Sequence, residues 1–229
     1  MTYHGGMKRD FESQFTGWSF VAAGVMLWVG WMLMPVHIGT YFVPGDFAQV
    51  YDDLWIWIWL YRVHIFGMVI TAIALIAVAS MLADTPARIM VWPGVGVATA
   101  GTFVTALAAA FYYHHGAWGA TVLNGKDAAD VQRFVDDLLV DTEYVTCLVR
   151  FGRVFSGLGL VVLGLGFLKW KVFPFWIGGT AVLIGLAAMA LTMGLPDRLS
   201  LYTPVFHVYA LWLAATGIVT LQTGVGANS

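Results

Sequence analysis

Charge is what this chain has least of. Of its 229 residues only 10% are charged, while 60% are hydrophobic. A soluble domain carries roughly a quarter charged residues. The chain has too little polar surface to cover a fold in water, so lipid is the solvent the sequence implies. Cysteine is nearly missing as well. Cys147 stands alone, which excludes an internal disulfide, a C-x-x-C redox pair and a cysteine-rich zinc site. No run of Lys and Arg forms a basic patch, so nucleic-acid binding has no footing. No carboxylate falls near the middle of a span, where many secondary transporters hold their substrate. A cleavable leader is not expected, because the first apolar run lacks an A-x-A-like exit and ends at Met34-Pro35.

What is present is apolar sequence in long runs. A helix needs about 20 apolar residues to cross the hydrocarbon core. Six stretches qualify, at about 17–34, 60–82, 92–113, 147–168, 174–193 and 201–221. Breakers separate them: Asp84-Thr-Pro86, Trp92-Pro93-Gly94, Lys169 with Lys171, and Gly194-Leu-Pro196. The 26 glycines are scattered and suit close helix packing in lipid. The expectation is an all-α integral membrane protein, a single six-transmembrane-helix bundle over residues 1–229, with the lipid bilayer as its first partner.

Short-loop Lys and Arg set orientation. With the N-terminus inside, the inner segments hold Lys8, Arg9, Arg88, Lys169 and Lys171, and the outer loops hold Lys126, Arg133 and Arg198. That bias favours N-in and C-in, a multi-pass protein of a bacterial inner or plasma membrane. The outer side then carries Asp46, Asp52, Asp53, the acids from Asp127 to Glu143, and Asp197, leaving Asp10, Glu12 and Asp84 inside. An electronegative outer face would attract a basic soluble electron carrier. Other membrane subunits, or further copies of the chain, are the remaining expected partners. Between the third and fourth spans, Val131, Phe134, Val135, Leu138, Leu139, Thr142 and Val145 recur at helical spacing. They predict an amphipathic outer helix at about 129–145, as a lid or as an extension of the fourth span.

The stretch from Trp55 to Met68 runs aromatics into Arg62 and His64. Trp55, Trp57 and Trp59 read as an anchor at the membrane–water boundary. An ionisable residue just inside that boundary is a candidate site. Four other histidines share its level. His37 follows the first span, His114 and His115 close the third, and His207 lies about two turns into the sixth. Gly67, Thr71 and Ala74 stand 3, 7 and 10 residues after His64, and Ala210, Ala214 and Gly217 stand at the same offsets after His207. Those offsets share one helix face. Small residues on a face mark helix contact in lipid. The plain alternative is that each histidine hydrogen-bonds to water or a carbonyl at the interface. Arg62, Arg150 and Arg153 lie at the same level. They would snorkel, bind an anion such as a haem propionate, or pair with Glu143 or Asp53.

Four functions follow from this cluster. The first is a redox subunit with haem b or quinone-linked electron transfer. It would use His64 and His207 as ligands, the three arginines as propionate partners, and Tyr61, Phe66, Phe206 and Tyr209 as packing. This outline is broadly similar to the membrane-anchor cytochrome b subunits of respiratory complexes, without a family motif and without paired histidines at two depths. The second is a membrane metalloenzyme with Cu, Fe or Zn on His37, His64, His114, His115 and His207 plus Glu143 or an Asp, acting on a lipid-soluble or small substrate. No H-E-x-x-H or H-x-x-x-H spacing is present. The third is a serine hydrolase. Six helices with Ser156-Gly157 and His207 loosely resemble rhomboid proteases, but Arg153-Val-Phe-Ser156-Gly replaces the expected G-x-S-G. The fourth is a non-catalytic structural subunit of a larger membrane complex.

Overall fold

The computed structural model describes residues 3–195 and 199–223, with side chains from 11 to 195 and 201 to 223. Pro196, Asp197 and Arg198, used above for a helix end and for orientation, lie outside the described residues. All the regular structure described is helical: α1 (Tyr3–Met32), α2 (Pro44–Asp52), α3 (Leu54–Met81), α4 (Arg88–Leu123), α5 (Ala128–Asp137), α6 (Leu139–Trp170), α7 (Phe175–Gly194) and α8 (Leu199–Thr223). Six of them (α1, α3, α4, α6, α7 and α8) are long and apolar enough to cross a membrane.

The spans pack as a closed ring, α1 on α3, α3 on α4, α4 on α6, α6 on α7, α7 on α8, and α8 back on α1. Glycines set the closeness. A Cβ at Gly94 would stand 2.8 Å from the Leu163 backbone nitrogen, and one at Gly159 would run into Ala98. Gly164 and Gly178 bring α6 and α7 together in the same way, and Gly17 and Gly217 do so for α1 and α8. Such contacts replace the hydrophobic drive that lipid-soluble helices lack between themselves. Threonine hydroxyls inside the spans bond back to their own helix. Thr71 donates to the Gly67 carbonyl at 2.8 Å and Thr102 to the Ala98 carbonyl at 2.9 Å, which spares those donors from standing bare in lipid.

Several helices outrun their apolar cores. The third span, expected at 92–113, continues to Leu123, so His114 and His115 lie within a helix rather than closing one. The second begins at Leu54, not near 60. The segment expected at 129–145 divides at Leu138. Its first half is α5, and its second half is the first turns of α6. The apolar stripe of α5 does face the bundle: Phe134 meets Phe47 edge-on at 5.4 Å and Trp118 at 5.6 Å. Asp127 caps α5 by accepting from the Asp130 N–H at 2.8 Å.

Helix α2 was not anticipated. Val43 is extended and Pro44 opens the helix, as proline's fixed φ and missing donor favour. Asp46 accepts the Val43 N–H at 2.9 Å. Partial burial lifts the Asp46 carboxyl above the usual carboxylate range, against that hydrogen bond, which lowers it. Phe47 and Val50, one turn apart, are buried. The tryptophan belt also divides. Trp55 and Trp59 are exposed on one face of α3 and meet at 5.8 Å. Trp57 points the other way and is wholly buried, donating to the Val36 carbonyl at 3.0 Å. Positions i and i+4 share a helix face and i+2 does not, so Trp57 is a core residue rather than an anchor.

Candidate functional site

The α2/α5 end of the ring holds a partly open cavity of about 170 Å³. Each wall is one face of one helix. Leu27 and Trp31 come from α1, Tyr61, His64 and Met68 from α3, and Thr102, Thr105, Ala109 and Tyr112 from α4. Thr146, Val149, Arg153 and Ser156 come from α6, and Tyr202, Thr203, Phe206 and Tyr209 from α8. Ile38, Gly39 and Thr40, between α1 and α2, complete the lining. The walls on α4 and α6 both run at offsets 0, 3, 7 and 10, the spacing of a single helix face. Those stripes of Thr, Tyr, Arg and Ser are the sequence signal for the cavity, and of them the sequence reading singles out Arg153 and Ser156 without joining them to one face.

His64 is the buried imidazole of the site, 5% exposed. Its ring lies 5.5 Å from Trp31, 5.5 Å from Phe206 and 6.4 Å from Tyr61. Its Nδ1 is buried without a hydrogen-bond partner. A buried polar atom left so costs free energy unless something else satisfies it. The small-residue face assigned to His64 does pack: a Cβ on Gly30 of α1 would meet the His64 backbone, and Gly67 and Thr71 are buried. The face of His207 packs too, since a Cβ on Gly24 would stand 2.8 Å from the Ala214 nitrogen. His207 nonetheless does not line the cavity, although its Nδ1 is likewise buried without a partner.

The other histidines separate from these two. His37 is exposed, its Nε2 2.9 Å from the Trp31 carbonyl and its ring 4.6 Å from that indole. His114 is exposed and stacks on Trp118 at 6.2 Å. His115 is held by its own helix, with Nδ1 3.0 Å from the Phe111 carbonyl. The shared level is therefore not a shared site. Among the described residues no three His, Cys, Asp or Glu side chains gather as a metal would require.

The arginines also part company. Arg62 is exposed, donates from Nε to the Tyr113 hydroxyl at 2.8 Å and lies over the rings of Trp59 and Tyr113. Arg150 donates to the Thr192 carbonyl at 2.9 Å and so ties α6 to α7. Arg153 alone reaches the cavity, its guanidinium 4.1 Å above the Tyr202 ring. Glu143 accepts from the Tyr41 hydroxyl at 3.0 Å, and Asp53 is exposed at the junction of α2 and α3. Of the aromatics expected around a macrocycle, Tyr61, Phe206 and Tyr209 line the cavity, while Phe66 is 60% exposed on the outside. Ser156 lines the cavity with its hydroxyl 3.4 Å from the Ala98 carbonyl.

Size decides what such a site can hold. A cavity of about 150 Å³ accepts one benzene ring, whereas drug-sized ligands need roughly 300–1,000 Å³. A haem exceeds this space, and the rings of Trp31 and Phe206 lie tilted beside His64, 5.5 Å away each. The residues present do not fit a haem. They do fit a single ring with polar substituents. Hydroxyls, one imidazole nitrogen and a guanidinium surround it, on walls that are otherwise aromatic and aliphatic.

Fold and site together define a helical membrane protein with a mostly apolar cavity, set with a few polar groups, near one end of its bundle. Compared with protein-family models, curated proteins and solved structures, the chain matches none.

Proposed function

We propose that the chain is a quinone-linked membrane redox subunit and that its cavity binds the head group of a quinone or quinol. The observation that carries this reading is His64, which lines a one-ring cavity and keeps Nδ1 buried without a partner. A quinone carbonyl or quinol hydroxyl supplies the missing hydrogen bond. Tyr61, Trp31 and Phe206 stack or edge against the ring. Arg153 places positive charge beside an oxygen that gains electron density. When bound, a quinone supplies two-electron, two-proton chemistry, and the protein's part is to position the ring, exclude water and hold a proton at His64.

Electrons reach the site through a partner in this reading. Asp46, Asp52, Asp53 and the acids from 127 to 143 favour a basic soluble carrier at the α2/α5 end, with other membrane subunits as the alternative. The N-in, C-in orientation in a bacterial plasma membrane remains part of the proposal and rests on the loop basic residues.

The test is a titration of the purified protein with a short-chain quinone, followed by quenching of tryptophan fluorescence. Saturable binding is expected, weakened about tenfold by His64→Leu, the factor that one hydrogen bond of ordinary strength carries. His64→Gln, which keeps a polar group, should recover part of it. A Soret band in the purified protein, or quinone affinity indifferent to His64→Leu, would overturn the reading.

A further inference from the structure

The cavity's roof is the one part of its wall that is not helix. Residues 36–41 cross it between α1 and α2, and Ile38, Gly39 and Thr40 face the space. Irregular backbone near a membrane boundary must find partners for its polar groups. Here side chains from two other elements provide them. Trp57 of α3 donates to the Val36 carbonyl at 3.0 Å, and Tyr112 of α4 donates to the Thr40 carbonyl at 2.7 Å. Tyr41 of the strap donates in turn to Glu143 of α6 at 3.0 Å. Ile38 is buried under the strap, whereas Gly39 is exposed and a Cβ there would meet only the Tyr41 carbonyl, at 3.8 Å, so glycine's backbone freedom makes it the natural bending point.

The three tethers differ in exposure. Trp57–Val36 and Tyr112–Thr40 are partly buried, while Tyr41–Glu143 lies at the surface. The surface tether is the one water can replace at least cost. Tyr112 has a double position, since it lines the cavity and also holds the roof. Its hydroxyl has one proton to give. A ligand acceptor that takes it does so in place of the Thr40 carbonyl.

We infer that residues 36–41 are a latched roof through which ligand reaches the cavity from the aqueous side, with Tyr41–Glu143 as the outer latch and Tyr112–Thr40 as the inner one. Opening begins when the outer latch exchanges its bond for water. It proceeds by bending at Gly39, and a ligand oxygen on Tyr112 keeps the inner latch released. This rests on the cavity being a ligand site, but it concerns access and not the ligand's identity.

Access is measurable without a ligand. The exposed Cys147 is first removed as Cys147→Ser, and Ser156→Cys places a thiol on the cavity wall. The full chain in liposomes is then treated with a small water-soluble methanethiosulfonate and the modification rate is followed by mass. Tyr41→Phe and Glu143→Ala should each raise that rate about threefold to tenfold, the equilibrium factor of one net hydrogen bond. Tyr112→Phe should do the same. Tyr113→Phe, which removes the partner of Arg62 at the same end without touching the roof, should leave it unchanged. The inference is overturned if both outer-latch variants label at the parental rate, if Tyr113→Phe accelerates labelling equally, or if no variant labels at all. Faster labelling in the latch variants together with no protection by short-chain quinone would sink the quinone reading and leave the roof standing. Quinone protection with unaltered latch rates would do the reverse.

Discussion

Trp57 shows how one side chain can change its role between sequence and structure. Beside Trp55 and Trp59 it belongs to an aromatic run, yet its indole is wholly buried, stacked near Tyr113 at 6.4 Å and tilted against Tyr61 at 4.7 Å. It supports the cavity wall from behind and the roof through Val36. Trp57→Phe removes that hydrogen bond and leaves a void against Gly116, so it should lower stability by about 1–3 kcal/mol. Trp55→Phe, at the exposed face, should change it little. Thermal unfolding in detergent of the two variants side by side decides the point, and equal melting temperatures would contradict the assignment. The same logic sorts the histidines. That His64 sits on a packing face was legible from Gly67, Thr71 and Ala74. That His114 and His115 leave it was not, because adjacent residues on a helix point about 100° apart and the sequence places them only by height.

At the scale of elements, hydropathy found all six spans because lipid demands unbroken apolar length. It misplaced their ends because a helix leaving the membrane needs no apolar residues to continue. Helix α4 carries on from Tyr113 to Leu123 on the small residues Gly116, Gly119 and Ala120, which are buried against Trp57 and Phe47. Helix α2 is too short and too mixed to register in an apolar count, although Val43-Pro44 and the Asp46 hydrogen bond mark its start. The glycine contacts carry a sharper expectation. A side chain at Gly159 collides with the backbone of α4 rather than with a movable side chain. Gly159→Leu should therefore prevent α4 and α6 from meeting, while Gly96→Leu, with open space around it, should be tolerated. Size-exclusion profiles of the two proteins check this. A monodisperse Gly159→Leu protein would show that the contact can be opened without loss of the fold.

For the whole molecule, the ring has a temporal consequence. Spans leave the ribosome one at a time, and five of the six ring contacts join spans that follow one another. The sixth joins the first span to the last. Until α8 has been made, the glycine face of α1 that receives Ala210, Ala214 and Gly217 must lie open to lipid or to an insertion factor, and the cavity lacks the wall of Tyr202, Phe206 and Tyr209. Assembly of the site thus waits for α8. A chain ended after residue 195 should insert but remain sensitive to protease within its first span, and supplying α8 as a separate segment should restore resistance. Should the shortened chain resist protease as the full one does, closure by α8 would not be what completes the fold. A protein built this way cannot close its cavity until the helix farthest along the described chain has joined the one that was made first.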